Sequence, residues 1–274
     1  MKFKLLGQFE VVLNNGRPTT LTRSKVSQLL GLLVVQNGES VGAHTLIEEL
    51  WGENVPRSAL TTLQTYIYHA RKLCGIGPGR QSVLVTRPAG YSIEVPGDSV
   101  DSVVFEGLVN RARTALDQRD AQTAAGLLDQ AFALWRGPVL AGMITGPVLD
   151  AHLTYINELR LSAHELHIAA CARLGRHQEI IPRLRLLVAE NPLNESFHAQ
   201  LIKALYKSAR RAEAIQAYRN LCRILDTELG IEPAPELQTL QQDLMTGIPA
   251  GQSADHSFGQ VLLAEGAVPR RSYC

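Results

Sequence analysis

The sixteen residues from Ala59 to Cys74, ALTTLQTYIYHARKLC, sort their side chains by chemistry around a helix. At about 100° per residue, Leu60, Leu63, Tyr66, Ile67, Ala70 and Cys74 gather on an apolar side. Thr61, Thr65, Tyr68 and Lys72 line the opposite side, with Gln64, His69 and Arg71 on its flanks. A solvated helix face ordinarily mixes Glu with Lys, yet this stretch contains no acidic residue. Hydroxyls, an amide, an imidazole and cations are the groups that pair with base edges and phosphates in a DNA major groove. On these residues alone, a merely polar outer face is the alternative.

Other side chains could add to such a surface. Arg87 stands beside a turn between two strand-like runs, where a cation can reach a minor groove or a phosphate. Arginine is also common at hairpin tips, so the position alone decides nothing. Trp51 is expected to bury its ring and turn its indole N–H outward, toward a phosphate. Lys25, Arg57 and Arg71 are further candidates for contact with a sugar-phosphate backbone.

No pattern argues for catalysis. The chain has no G-x-x-x-x-G-K-[ST], no G-x-G-x-x-G after a strand and no H-E-x-x-H. No catalytic residue is assigned and no cofactor is expected. His164 and His167 sit one helical turn apart with Glu165 between them, a permissive metal spacing. No second pair completes a ligand set, so no metal is expected. Asp117, Asp120 and Asp129 are explained by capping and solvation.

The elements that must position the Ala59–Cys74 stretch can be read on either side of it. KFKLLG and EVVL form an antiparallel sheet within residues 1–21, with Asn14-Asn15-Gly16 suited to a tight hairpin. A helix follows from Arg23 to Asn37, its apolar side made by Val26, Leu29, Leu30, Leu33 and Val34, with Gly38 as a stop. A second runs from Ala43 to Trp51 and stops at Gly52; residues 53–57 form a loop, with Pro56 just before the third helix. That helix stops at Gly75, and Gly77, Pro78 and Gly79 turn the chain. SVLVT and YSIEV then read as strands joined by Arg87-Pro88-Ala89-Gly90. Sheet, three helices and a terminal hairpin make a helix-turn-helix core with a β wing.

From about Val100 to Met245 the period is helical. Helices are expected at 103–117, 121–136 and 147–174, followed by a repeat at a spacing of 34. It pairs Ile168 with Ile202, Ala170 with Ala204, Arg176 with Arg210, Glu179 with Glu213, Ile181 with Ile215, Arg185 with Arg219 and Leu187 with Leu221. Thirty-four residues is the tetratricopeptide period, a helix–turn–helix unit that buries its apolar side against its neighbours. The fold class expected is therefore mainly α with a small β component. It comprises an N-terminal winged helix-turn-helix domain over 1–96, an all-α tetratricopeptide-like domain over 97–247 and a flexible tail over 248–274.

Composition agrees. A hydrophobic content of 45% and a charged content of 19% describe a globular chain with cores in two domains. No run approaches the roughly 18 apolar residues that span a bilayer. The opening MKFKLLGQFEVVL reads as a strand rather than a secretion signal. Cys74, Cys171, Cys222 and Cys274 form no C-x-x-C pair, so neither zinc nor a disulfide framework is expected. A cytoplasmic, nucleoid-associated location fits. Residues 1–96 hold ten Lys and Arg against six Asp and Glu, and the remainder seventeen against twenty. A basic head on an acidic body suits a polyanion-binding module joined to something else.

The same residues carry a likeness. LGQFEVVLNNGRP, LIEELWGENVPRSALTTLQTYIYHARKLCG and LVTRPAGYSIEV resemble OmpR-type winged helices. ALWRGPVLAG, ELRLSAHELHIAACARLGRHQEIIPRL, NPLNESFHAQLIKALYKSARRAEAIQAYR and ELGIEPAPEL resemble a bacterial transcriptional activation domain. From residue 2 to 247 the chain resembles the Streptomyces antibiotic regulatory protein (SARP) family in its short form. That resemblance implies an activator that binds direct repeats in promoters of secondary-metabolite clusters and recruits RNA polymerase holoenzyme. It implies that Thr61, Gln64, Thr65, Tyr68 and His69 face bases or nearby phosphates. Trp51, Arg57, Arg71, Lys72, Arg87 and Tyr91 would contact the DNA backbone. The loop Gly52, Glu53, Asn54, Val55, Pro56 would touch polymerase. Related winged helices often place arginine where Tyr68 and His69 stand, which implies a different base pattern here.

Two rivals remain at this stage. A tetratricopeptide scaffold whose head binds protein explains the repeat, but not the acid-free helix face. A ligand-responsive regulator with a pocket in the helical body is compatible with every residue named. Self-association on DNA follows from direct repeats by analogy, and no membrane partner is expected.

Overall fold

The computed structural model describes residues 1–13, 16–21, 23–74 and 83–246. Asn14 and Asn15 of the expected hairpin, the turn from Gly75 to Gly79 and the expected tail lie outside them. The chain divides into two compact units, Met1–Ala170 and Cys171–Cys274.

The first unit opens with β1 (Lys2–Lys4), β2 (Glu10–Val12) and β3 (Pro18–Thr20), an antiparallel sheet in that order. Phe3 lies opposite Val11, and Val11 opposite Thr19. Phe3, Leu5, Leu6, Phe9 and Val11 are buried, so the sheet packs one side inward. Three helices follow: α1 (Lys25–Val35), α2 (Ala43–Trp51) and α3 (Ala59–Leu73). The Ser24 side chain starts α1 by accepting the Ser27 N–H at 3.1 Å. Gly52 ends α2 at φ +54°, a conformation open to glycine without Cβ strain. The wing is β4 (Leu84–Arg87) paired antiparallel with β5 (Gly90–Ile93). Leu29, Leu30 and Leu33 of α1, Leu46 and Leu50 of α2 and Leu63 and Ile67 of α3 form the core beneath them. Each such side chain contributes about 1.5–3 kcal/mol on burial.

Two further helices in this unit pack together, α4 (Asp101–Asp117) and α5 (Ala121–Phe132); the long α6 (Pro147–Arg173) follows. The helix expected at 121–136 stops at Phe132, because the next residues are drawn to the connection between β1 and β2. The Arg136 N–H donates to the Leu6 carbonyl at 2.8 Å, Leu140 to Leu5 at 2.9 Å and Ala141 to Gly7 at 3.0 Å. Asp101 completes the clasp by accepting the backbone N–H groups of Leu5 and Leu6 at 2.6 and 3.1 Å. Burial pushes the Asp101 carboxyl above the usual carboxylate range, opposed by those two donors and by Arg136. Arg136 reaches Asp101 at 3.4 Å and Glu10 at 3.0 Å. The ALWRGPVLAG stretch therefore ties the helical segment to the head.

The second unit holds α7 (His177–Glu190), α8 (Glu195–Lys207), α9 (Arg211–Leu229) and α10 (Pro235–Thr246). The 34-residue repeat is visible in its turns. Arg176 donates its N–H to the Cys171 carbonyl at 2.9 Å, and Arg210 to the Leu205 carbonyl at 2.9 Å. Ile202, Ala204, Leu187 and Leu221 are all buried. Glu213 binds Arg185 at 2.6 Å and Arg210 at 2.7 Å.

Replacing Asp101 by alanine strands two part-buried backbone donors. We expect a loss of about 1–3 kcal/mol for each, read by urea denaturation with an unchanged m-value.

Candidate nucleic-acid interface

Helix α3 exists because Ala59, Leu63, Ile67, Ala70 and Cys74 are buried against the rest of the head. Their spacing of three and four residues leaves a wide outer arc. Thr61, Gln64, Thr65, Tyr68, His69 and Lys72 are all exposed on it. Tyr68 is 64% exposed, and its ring meets the His69 imidazole edge-on at a centroid distance of 5.5 Å. The Thr65 hydroxyl donates to the Thr61 carbonyl at 3.1 Å, which leaves its lone pairs facing outward as acceptors. His69 and Lys72 also border an open hollow of about 410 Å³, shared with Thr19, Val26 and Leu73.

Leu60 departs from expectation. Placed on the apolar side in the sequence, it is 61% exposed at the first turn of α3. The buried side is centred on Leu63, Ala70 and Cys74. On the helix circumference Leu60 lies about 20° from buried Ile67 and about 40° from exposed Gln64, at the edge of the apolar side. The angles leave that position undecided, and only the folded head shows that nothing covers it.

The remaining cations differ in how much they are already engaged. Arg71 is half-buried; its Nε donates to the Leu84 carbonyl at 3.3 Å and its Nη2 to the Thr86 hydroxyl at 2.7 Å. It thus fastens strand β4 to α3. Lys25 donates to the Leu50 carbonyl at the C-terminus of α2, where the helix dipole favours a cation, and to Gln28 at 3.3 Å. Arg87 pairs with Glu94 across the wing, and Ser92 donates to the same carboxylate at 3.0 Å. The Arg87 hydrogen bond, followed by that of Ser92, holds the Glu94 carboxyl below its usual range. Arg57 and Lys72 are exposed. Trp51 is half-buried and stacks on Tyr66, with centroids 5.9 Å apart and planes at 21°. The Gly52–Pro56 loop stands out from the surface, with Val55 49% exposed.

The wing is latched by its own backbone. Tyr91 and Val41 exchange two N–H···O bonds of 3.0 and 2.8 Å, which puts half-buried Tyr91 beside the α1–α2 connection. A Cβ on Gly90 would fall 1.9 Å from the Val41 carbonyl oxygen, so only glycine fits there.

One buried carboxylate was missed in the sequence. Glu49, on the inner side of α2, accepts the N–H groups of Gly146 and Val148 at 2.7 and 2.8 Å and so caps the start of α6. A helix-interior glutamate gives no sequence signal of such a role. The two histidines considered for a metal are packed within the helices: His167 meets Asp129 at 3.1 Å, and His164 lies flat on Phe132 at 4.4 Å. Among the described residues, no cluster of His, Cys, Asp or Glu could hold a metal ion, and no helix is long and apolar enough to cross a membrane.

Comparison with known proteins identifies this arrangement. Residues 100–245 match the bacterial transcriptional activator domain, and residues 16–93 match the transcriptional regulatory protein C-terminal domain. Regulatory protein DnrI of Streptomyces peucetius is 34% identical over 255 residues, which is 91% of this chain and 93% of that protein. The chain belongs to the Streptomyces antibiotic regulatory protein family. Regulatory protein AfsR of Streptomyces griseus is 35% identical over 79% of this chain, which spans only 22% of AfsR. The solved structure of Mycobacterium tuberculosis EmbR, determined with a low-affinity phosphopeptide, superposes with a TM-score of 0.81. It is 30% identical and covers 91% of this chain and 66% of its own. SARP relatives are transcriptional regulators rather than enzymes. The mostly helical fold, with a winged-helix head and a small sheet, is the one this family shares with EmbR.

Gly90→Ala is expected to unlatch the wing, at a cost of about 2 kcal/mol or more. Thermal unfolding would register the loss, and amide exchange at Tyr91 and Val41 should speed up ahead of exchange in α1.

Proposed function

We propose that this SARP-family regulator is a sequence-specific activator that reads promoter direct repeats through α3. The observation that carries this is the outward arc of Thr61, Gln64, Thr65, Tyr68, His69 and Lys72, exposed together and free of carboxylates. An anion-free helix face enters a phosphate-lined groove without the repulsion that a Glu–Lys mixture would bring. Gln64 and the hydroxyls supply hydrogen-bonding partners for base edges, whereas Lys72, Arg57 and the Trp51 edge supply sequence-independent contacts with the backbone. Two donors of Arg71 already hold the wing, so its part in DNA contact falls to its remaining N–H groups.

The wing works by exchange. Arg87 gives up Glu94 for a phosphate on the adjacent backbone, and Tyr91 lies beside it on β5. The exposed Gly52–Pro56 loop offers Val55 and Glu53 to RNA polymerase while α3 is engaged. Resemblance to antibiotic regulators such as DnrI supports a secondary-metabolite cluster as the target, with protomers side by side on repeated sites. The head over 1–96 then reads DNA, and the helical body over 97–247 contacts polymerase or a neighbouring protomer.

Gel shifts with the full chain, on its own upstream DNA and on scrambled DNA at two salt concentrations, test this reading. Gln64→Ala or Tyr68→Ala should cost about 1–3 kcal/mol on the cognate duplex and little on the scrambled one. Lys72→Ala should weaken both and lower the salt slope by about one. Equal losses on both sequences from Tyr68→Ala would remove its base-reading role. Glu94→Gln removes the carboxylate that competes for Arg87, so both duplexes should bind more tightly, with a salt slope steeper by up to about one.

A further inference from the structure

We propose that Leu60 is a specificity residue whose exposed side chain packs on the 5-methyl group of a thymine in the major groove. The inference rests on the DNA-reading assignment of α3 and deepens it. Leu60 is the second residue of α3 and is 61% exposed, although the helix has an apolar side on which Leu63 and Ile67 are buried. Its exposed side chain borders the outer arc, one turn before Gln64 and two before Tyr68. Along that ridge the groups run apolar, amide, phenol. The N-terminal turns of a recognition helix are the part that meets base edges.

The occupant follows from the chemistry around it. The arc carries no carboxylate and ends in Lys72, so its partner is a polyanion. The apolar group on a major-groove floor is the thymine methyl, which leucine can cover but cannot hydrogen-bond. A methyl taken from water on both sides supplies sequence preference without a hydrogen bond. Val55 is also exposed, but it belongs to the preceding loop rather than to the helical ridge. A protein partner covering Val55 and Leu60 together is the competing occupant.

The experiment uses the full chain, residues 1–274, and duplexes it selects from a random pool. Each thymine in a selected duplex is replaced in turn by deoxyuridine, which removes only the methyl. Wild type should lose about threefold to tenfold in affinity at one or two positions and keep its affinity elsewhere. Leu60→Ala, at an exposed helix position, should keep the wild-type circular dichroism and bind the thymine and deoxyuridine duplexes equally at those positions. The proposal is overturned if wild type ignores every methyl, or if Leu60→Ala retains the full thymine preference. It is also overturned if Leu60→Ala leaves DNA binding untouched but lowers promoter-dependent transcription, which would assign the residue to a protein partner. Failure of wild type to enrich any sequence would instead sink the DNA-reading assignment on which the proposal stands.

Discussion

A carboxylate withdrawn from water must be met by donors, and Glu49, only 3% exposed, is met by the N–H groups that open α6. This contact decides where the long helix starts relative to the helix-turn-helix. It leaves no room to spare: a Cβ on Gly146 would sit 2.4 Å from the Glu49 carbonyl oxygen. That same carbonyl accepts the Gln28 side-chain amide at 2.6 Å, so α1, α2 and α6 meet at one residue. Anchoring α6 at the inner side of α2 keeps it away from the outer arc of α3.

Asp101 does the corresponding work at the sheet. Its two backbone bonds to Leu5 and Leu6, and the return of residues 136–141 to the same strand connection, make the sheet a shared part. The head and the first helices of the body are therefore one compact unit. Hydrogen-bonded carboxylates, rather than a flexible joint, thus link the winged-helix head to α4 and α6. The wing is held by a different device, two backbone bonds between Tyr91 and Val41 and the Arg71 guanidinium on β4, and these position Arg87 without burying it.

Much of the fold was legible because it depends on local rules. The stops at Gly38 and Gly52, the start of α3 after Pro56 and the strand pair around Pro88 and Ala89 follow from turn and capping preferences, and all appear within a few residues of expectation. The 34-residue spacing is repeated in the turns at Arg176 and Arg210 because equivalent sequences close equivalent hydrogen bonds. The end of α5 was not legible: residues 133–136 are helix-compatible, and distant partners of Arg136, the Leu6 carbonyl among them, draw them away. Leu60 was misplaced for a related reason. Its helical angle lies about 20° from that of buried Ile67, and only the folded head decides that nothing covers that position.

By itself the sequence determined the kind of object this is: a winged helix-turn-helix ahead of helical repeats, with an acid-free helix face. Those features live in periodicity, turn chemistry and charge, each set by residues within a few positions of one another. Tertiary structure alone decided which cations are held inside the molecule and which remain outward. Arg71, Arg87 and Lys25 look alike as letters, but partners 13, 7 and 25 residues away separate them. It alone also turned Glu49 and Asp101 from ordinary surface acids into the joints of the first unit, since desolvation and amide donors arrive only when distant segments meet.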